Sequence, residues 1–180
     1  TKDYQVYLHD VAAGTSQKVS ITINNNNTLD KSQDFETSGN VSQFSVAPDN
    51  KKLAFISRGE LFVSDEKGKF IKKINTNPDE RVTEVKWLKD NRSLLYSQTA
   101  AGYTNLFTIA ADGTGTEKRL TNEARNNANI TLDHKMENAA YISGRDELRL
   151  MDLKTFKSAT LLKDEFWALR PTIPQFSPED

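Results

Sequence analysis

The feature that most limits what this 180-residue chain can fold into is a repeat of 41 to 45 residues. Val46, Trp87, Leu132 and Phe176 each stand just before a polar turn, at successive offsets of 41, 45 and 44. The turns are Ala47-Pro-Asp-Asn-Lys-Lys52, Leu88-Lys-Asp-Asn-Arg-Ser93, Asp133-His-Lys-Met-Glu-Asn138 and Ser177-Pro-Glu-Asp180. In the first, Pro48 presets the backbone of a turn's second position, and Asn50 suits a left-handed position. The first three lead to short apolar runs, Leu53-Ala-Phe55, Leu94-Leu-Tyr96 and Ala139-Ala-Tyr141, and then to strands starting at Leu61, Leu106 and Leu148. Arg58-Gly59-Glu60 reads as the tight turn between the second and third strands, with Gly59 free to take positive φ. Closing strands are expected at Ile71–Ile74, Lys118–Leu120 and Ala159–Leu162. Near the N-terminus, Val6-Tyr-Leu-His-Asp10 copies a third strand, and Lys18-Val-Ser-Ile21 is expected to close it.

A unit of this length built from four short strands has the size of a propeller blade. The fold class is therefore all-β: a partial β-propeller of four-stranded antiparallel blades. Residues 1–23 form half a blade, 41–80, 82–123 and 127–165 form whole blades, and 172–180 begin the next. Phe44 and Val46, Val85 and Trp87, and Ile130 and Leu132 alternate with polar residues, as expected of a strand beside a solvated channel. The second strands are apolar on both faces, which requires neighbours on both sides, and blades stacked face to face provide them. Such an arc leaves faces and edges uncovered, which favours association with another copy or with further blades.

Composition narrows the function classes. Lysine plus arginine number 24 against 25 acidic residues, and the net charge of -1 gives no case for nucleic acid or an anionic membrane. No apolar run is long enough to span a bilayer. Without cysteine there is no disulfide scaffold or thiolate metal site, and His9 and His134 are the only imidazoles. His9 falls within a strand and His134 in a polar turn, so neither points to zinc or to a nucleophile's base. Ile142-Ser-Gly-Arg145 reads as a hairpin turn rather than a nucleophile elbow. Asp112-Gly-Thr-Gly115 also reads as a turn, since neither a following helix nor a Walker lysine supports a phosphate loop. Asp10, Asp65 and Asp152 recur at the same strand end and are expected to hold turns through backbone bonds. The asparagine-rich stretch Asn24–Asn40 reads as a solvated inter-blade loop, with a substrate or partner loop as the alternative. Trp167 is expected to pack between blades, with an exposed contact for a partner domain as its alternative. The expectation is no catalytic residue, no cofactor and no metal in this chain.

Phe55-Ile-Ser-Arg-Gly-Glu-Leu-Phe-Val-Ser-Asp65, preceded by Ala47-Pro-Asp-Asn-Lys51, resembles a blade of the tricorn-protease propellers. There a Ser-Pro-Asp-Gly-Lys type of turn leads to an apolar strand and then to Arg-Gly-Asp/Glu. Phe176-Ser-Pro-Glu-Asp180 repeats the turn. Ala110-Ala-Asp-Gly113 followed by Lys118-Arg-Leu-Thr121 is similar to the blade ending shared with the periplasmic Tol-system propeller. Asn50 and Asn91 stand where that family prefers glycine, and Asp133-His-Lys-Met136 keeps little of the motif. The resemblance implies a non-catalytic propeller part of a serine peptidase, shaping peptide access to a catalytic domain, and the asparagine-rich, bacterial-looking propeller leans toward the periplasm. The alternative is a protein-binding propeller of the Tol-system kind with no enzyme attached, and a prolyl-oligopeptidase-like cap is a third reading. The family's PDZ-like and serine-peptidase domains have no counterpart in these residues, so no catalytic residue carries over.

Overall fold

The structure, a computed structural model, describes residues 5–22, 39–166 and 172–178. The chain forms two compact units, Thr1–Glu36 and Thr37–Asp180. All regular structure among the described residues is β, and no helix is long and apolar enough to cross a membrane.

In the first unit, β1 (Tyr7–Asp10) pairs antiparallel with β2 (Thr15–Lys18). The closing strand thus lies three residues earlier than Lys18–Ile21. Asp10 accepts hydrogen bonds from the N–H groups of Ala12 and Ala13 at 2.9 and 3.0 Å, which turns the chain at once. Gly14 completes the turn with φ +65°. The apolar Val19 and Ile21, which drew the expectation later, lie beyond the strand.

The second unit contains three four-stranded antiparallel sheets, each a blade in simple up-and-down order. Blade 1 is β3 (Val41–Val46), β4 (Lys52–Ser57), β5 (Glu60–Asp65) and β6 (Ile71–Lys73). Blade 2 is β7 (Val82–Trp87), β8 (Ser93–Ala100), β9 (Tyr103–Ala110) and β10 (Lys118–Arg119). Blade 3 is β11 (Asn127–Leu132), β12 (Asn138–Ser143), β13 (Glu147–Asp152) and β14 (Ser158–Lys163). The partial-propeller fold class stands. The turn chemistry explains the register. Asn50, Asn91 and Met136 occupy equivalent places and take φ of 59°, 55° and 53°. Asparagine tolerates this left-handed region, whereas in Met136 the turn geometry overrides residue preference. Arg58 and Gly59, both at positive φ, make the two-residue turn that matches the twist of β4 and β5.

Blades stack face to face. Ala54, Ile56, Leu61 and Val63 of blade 1 form one core with Val85, Trp87, Leu94, Tyr96, Phe107 and Ile109 of blade 2. Leu95 and Leu106 of blade 2 form a second core with Ile130, Ala139, Tyr141 and Met151 of blade 3. Val85 and Trp87 are therefore buried between sheets, not beside a channel. Their polar alternates, Glu84 and Lys86, face the next blade. Trp167 and most of Asn24–Asn40 lie outside the described residues.

Candidate interaction surface

Of the residues that sequence reasoning singled out for chemistry, His9 belongs to the first unit, while His134 and Ser143 lie at opposite ends of β12 in the second. His9 accepts or donates through Nδ1 to the Ser16 hydroxyl at 2.9 Å, as the cross-strand pair of an exposed hairpin. His134 sits exposed in the turn between β11 and β12. Ser143 is buried at the end of β12, next to the Gly144 turn. No cluster of three metal-ligating side chains occurs among the described residues.

The recurring aspartates hold turns. Asp152 accepts from the N–H groups of Lys154 and Thr155 and from the Thr155 hydroxyl, and Asp65 accepts from the Phe70 N–H. Hydrogen bonds from the Thr155 N–H and hydroxyl hold the Asp152 carboxyl below the usual carboxylate range. Those from the Thr114 hydroxyl and N–H do the same for Asp112, in the hairpin turn between β9 and β10. Burial pushes Asp133 upward, but the bonds it accepts from the Asn138 amide and from the N–H groups of Asn138 and Glu137 outweigh it and hold it low. Charge is likewise neutralised locally at the far end of blade 3. Arg149 bonds Glu147 at 2.7 Å and Glu123 at 2.6 Å, and Arg125 reaches Asp146 and Glu147. These carboxylates are engaged in structural hydrogen bonds and ion pairs.

A feature that sequence reasoning missed joins the blades. Each inner strand carries a β-bulge near its start, between Val41 and Gln43, Val82 and Glu84, and Ala128 and Thr131. At each bulge a polar side chain turns toward the following blade. The Gln43 amide oxygen accepts from the Val85 N–H at 2.6 Å, and the Ser45 hydroxyl accepts from the Trp87 N–H at 3.0 Å. The Glu84 carboxylate accepts from the N–H groups of Asn129 and Ile130 at 2.7 and 2.8 Å. The Asn129 amide donates to the Thr172 carbonyl at 2.9 Å, which ties the chain at residue 172 to blade 3. These clasps bond to backbone, so the clasping residues differ in type, and only a polar side chain one place before Phe44, Val85 and Ile130 marks them in sequence.

One sheet face breaks the pattern. Phe44 and Val46 of blade 1 are equivalent to Val85 and Trp87, which are 0% exposed, yet they are 64% and 47% exposed. The same face carries Leu53, Phe55, Phe62 and Ile71, with the Phe55 and Phe62 rings stacked at 5.3 Å. Together these side chains make a continuous apolar surface on one sheet of the second unit. A cleft of about 640 Å³ opens between blades 2 and 3, lined by Leu88, Lys89, Glu137, Leu153 and Phe156 among others.

No known protein family and no curated protein matches the sequence. Among solved structures, the tricorn protease resembles 89% of the chain with a TM-score of 0.60 at 20% identity. TolB from Acinetobacter baumannii resembles 88% of it with a TM-score of 0.54 at 20% identity. A protein described as TolB from Agrobacterium tumefaciens resembles 67% with a TM-score of 0.56 at 16% identity. The chain covers 15%, 38% and 50% of those three chains respectively. Four-stranded blades, up-and-down order and these likenesses together establish that the chain has the fold of a tricorn/Tol-type β-propeller region.

Proposed function

We propose that this chain is the non-catalytic propeller part of a tricorn-like serine peptidase, where it shapes which peptides reach a catalytic domain elsewhere in the polypeptide. Residues 41–80, 82–123 and 127–165 act as blades, 1–23 as the outer half of another and 172–180 as the start of the next. The observation that carries the reading is the Arg58-Gly59-Glu60 hairpin of blade 1, set in a blade repeat whose structural likeness to the tricorn protease extends over 89% of the chain. The positions of His134 and Ser143 at opposite ends of β12, and the locally neutralised carboxylates, support a scaffold role. The likeness to two TolB structures and the Lys118-Arg-Leu-Thr121 blade ending equally support a second reading, a protein-binding propeller of the Tol-system kind with no enzyme attached.

The coding sequence flanking residues 1–180 tests the choice. PDZ-like and serine-peptidase segments downstream are the expected result. A reading frame that closes after further blades alone replaces the peptidase reading with the Tol-type one.

A further inference from the structure

We propose that the cleft between the turns of blades 2 and 3 binds an extended polypeptide through one large apolar side chain, gripped by Met136 and Phe156. The proposal rests on the functional reading above only in that the ligand is a polypeptide, which both forms of that reading share.

The cleft, of about 640 Å³, is lined entirely by the second unit. Blade 2 contributes Leu88, and blade 3 contributes Met136, Leu153 and Phe156. Two independent observations give it a ligand.

The first is backbone strain. Met136 and Phe156 take φ of 53° and 56°, the left-handed region that bulky side chains avoid. The chain uses better-suited residues elsewhere for both places. Asn50 and Asn91 fill the places equivalent to Met136 in blades 1 and 2. The Asp10 turn is built like the Asp152 turn, each aspartate accepting from the N–H groups two and three residues on, and there Gly14 stands where Phe156 stands. Two large apolar side chains are thus held on unfavourable backbone, and both line the same cleft. Strain of this kind gathers at ligand clamps. Core packing does not account for it at Met136, which belongs to neither inter-blade core.

The second observation is the polar lining. Lys89 Nζ meets the Glu137 carboxylate at 3.1 Å and links blade 2 to blade 3 at the cleft, with the two side chains 62% and 60% exposed. An ion pair so exposed is weak and parts readily. It then offers one donor and one acceptor, the complement of a peptide's C=O and N–H. The other carboxylates of the lining, Asp90 and Asp152, are already bonded to their own turns. An apolar side chain with amides beside it matches this arrangement. A fatty acid would set its carboxylate against Glu137, and a bare aromatic would leave the pair unused.

The test uses N-acetyl-4-fluorophenylalaninamide as the probe and the whole polypeptide carrying carbon-13 at its methionine methyls. The Met136 signal is assigned by its loss in Met136→Leu, and Met151, fully buried in the core between blades 2 and 3, is the internal reference. The probe should shift the Met136 signal saturably and leave Met151 unmoved, whereas N-acetylglycinamide should shift neither. Met136→Asn, which restores the residue of the equivalent turns, should raise the urea midpoint and yet weaken the probe about tenfold by fluorine NMR. Phe156→Gly should weaken it similarly. A Met136 signal that does not move, equal binding of 4-fluorobenzyl alcohol (which has no amide), a lower midpoint for Met136→Asn, or an affinity unchanged in both variants overturns the proposal. None of these results bears on whether a peptidase domain follows, which the flanking coding sequence decides separately.

Discussion

Replacing Trp87 by alanine should be among the most damaging single changes to this propeller region. Trp87 is fully buried in the core between blades 1 and 2, among Ala54, Val63 and Leu94. A tryptophan side chain removes about 150–250 Å² from water. At roughly 25 cal/mol per Å² that is worth about 4–6 kcal/mol. Alanine keeps a small part of the burial, and the indole N–H has no protein acceptor among the described residues, so the loss is one of packing alone. The net cost should be about 3–5 kcal/mol, the range for large aromatics cut back to alanine. With a urea slope of about 2 kcal/mol/M, the midpoint falls by about 1.5–2.5 M. The matching fall in Tm is about 6–20 °C, at roughly 2–4 °C per kcal/mol for a chain of this size. Far-UV circular dichroism is the right probe, because Trp167 would otherwise dominate the fluorescence of the variant. Trp87→Phe, which refills most of the space, should cost less than half as much. An unchanged midpoint at an unchanged slope would refute the reasoning.

Glu84→Ala should destabilise more than Glu84→Gln, because the carboxylate serves two buried-side N–H groups and the amide retains one acceptor. The cost is about 1–3 kcal/mol for each donor left without a partner, read from the urea midpoint, and equal losses for the two variants would show that the clasp is not the cause. For Asp133, the folded carboxyl titrates below its usual 3.8, so its contribution is present above that pH and is lost as pH falls through the folded value. Asp133→Asn should therefore be less stable than the parent at pH 7, with the gap closing below pH 3.8; a gap independent of pH would contradict this. Gly59 takes φ +86°, and a β-carbon there would lie 2.9 Å from the Arg81 Nε, so Gly59→Ala should cost more than about 1 kcal/mol by thermal melting. Finally, purified residues 1–180 should not turn over casein or fluorogenic peptides. Turnover abolished by His9→Ala or His134→Ala would overturn the scaffold reading.

The blade repeat was legible because two constraints write it into the chain together. Turns need residues that accept unusual backbone angles, as at Asn50 and Asn91, and second strands covered on both faces must be apolar throughout, as at Leu94-Leu95-Tyr96. Burial of individual residues was less legible. Val46 and Trp87 share one phase yet differ in exposure, and nothing local marks the difference. The alternation in β7 suggested a channel wall for a related reason: a strand sandwiched between blades and one beside water show the same period of two when the polar side chains cross to the next sheet. The clasps left almost no trace, since a backbone N–H accepts glutamine, serine or glutamate alike. In the first unit, the Asp10 turn started the second strand sooner than the apolar Val19 and Ile21 implied.

The bulge-borne clasp has a genetic consequence. Because each clasp reads only the partner's main chain, its own specificity lies in placement and not in the identity of the partner's side chains. An unequal crossover between the turns at Asp49-Asn50 and Asp90-Asn91 would insert or delete one whole blade in register, with working joints on both sides from the first generation. A region built this way changes its number of blades far more easily than it changes the angle between any two of them.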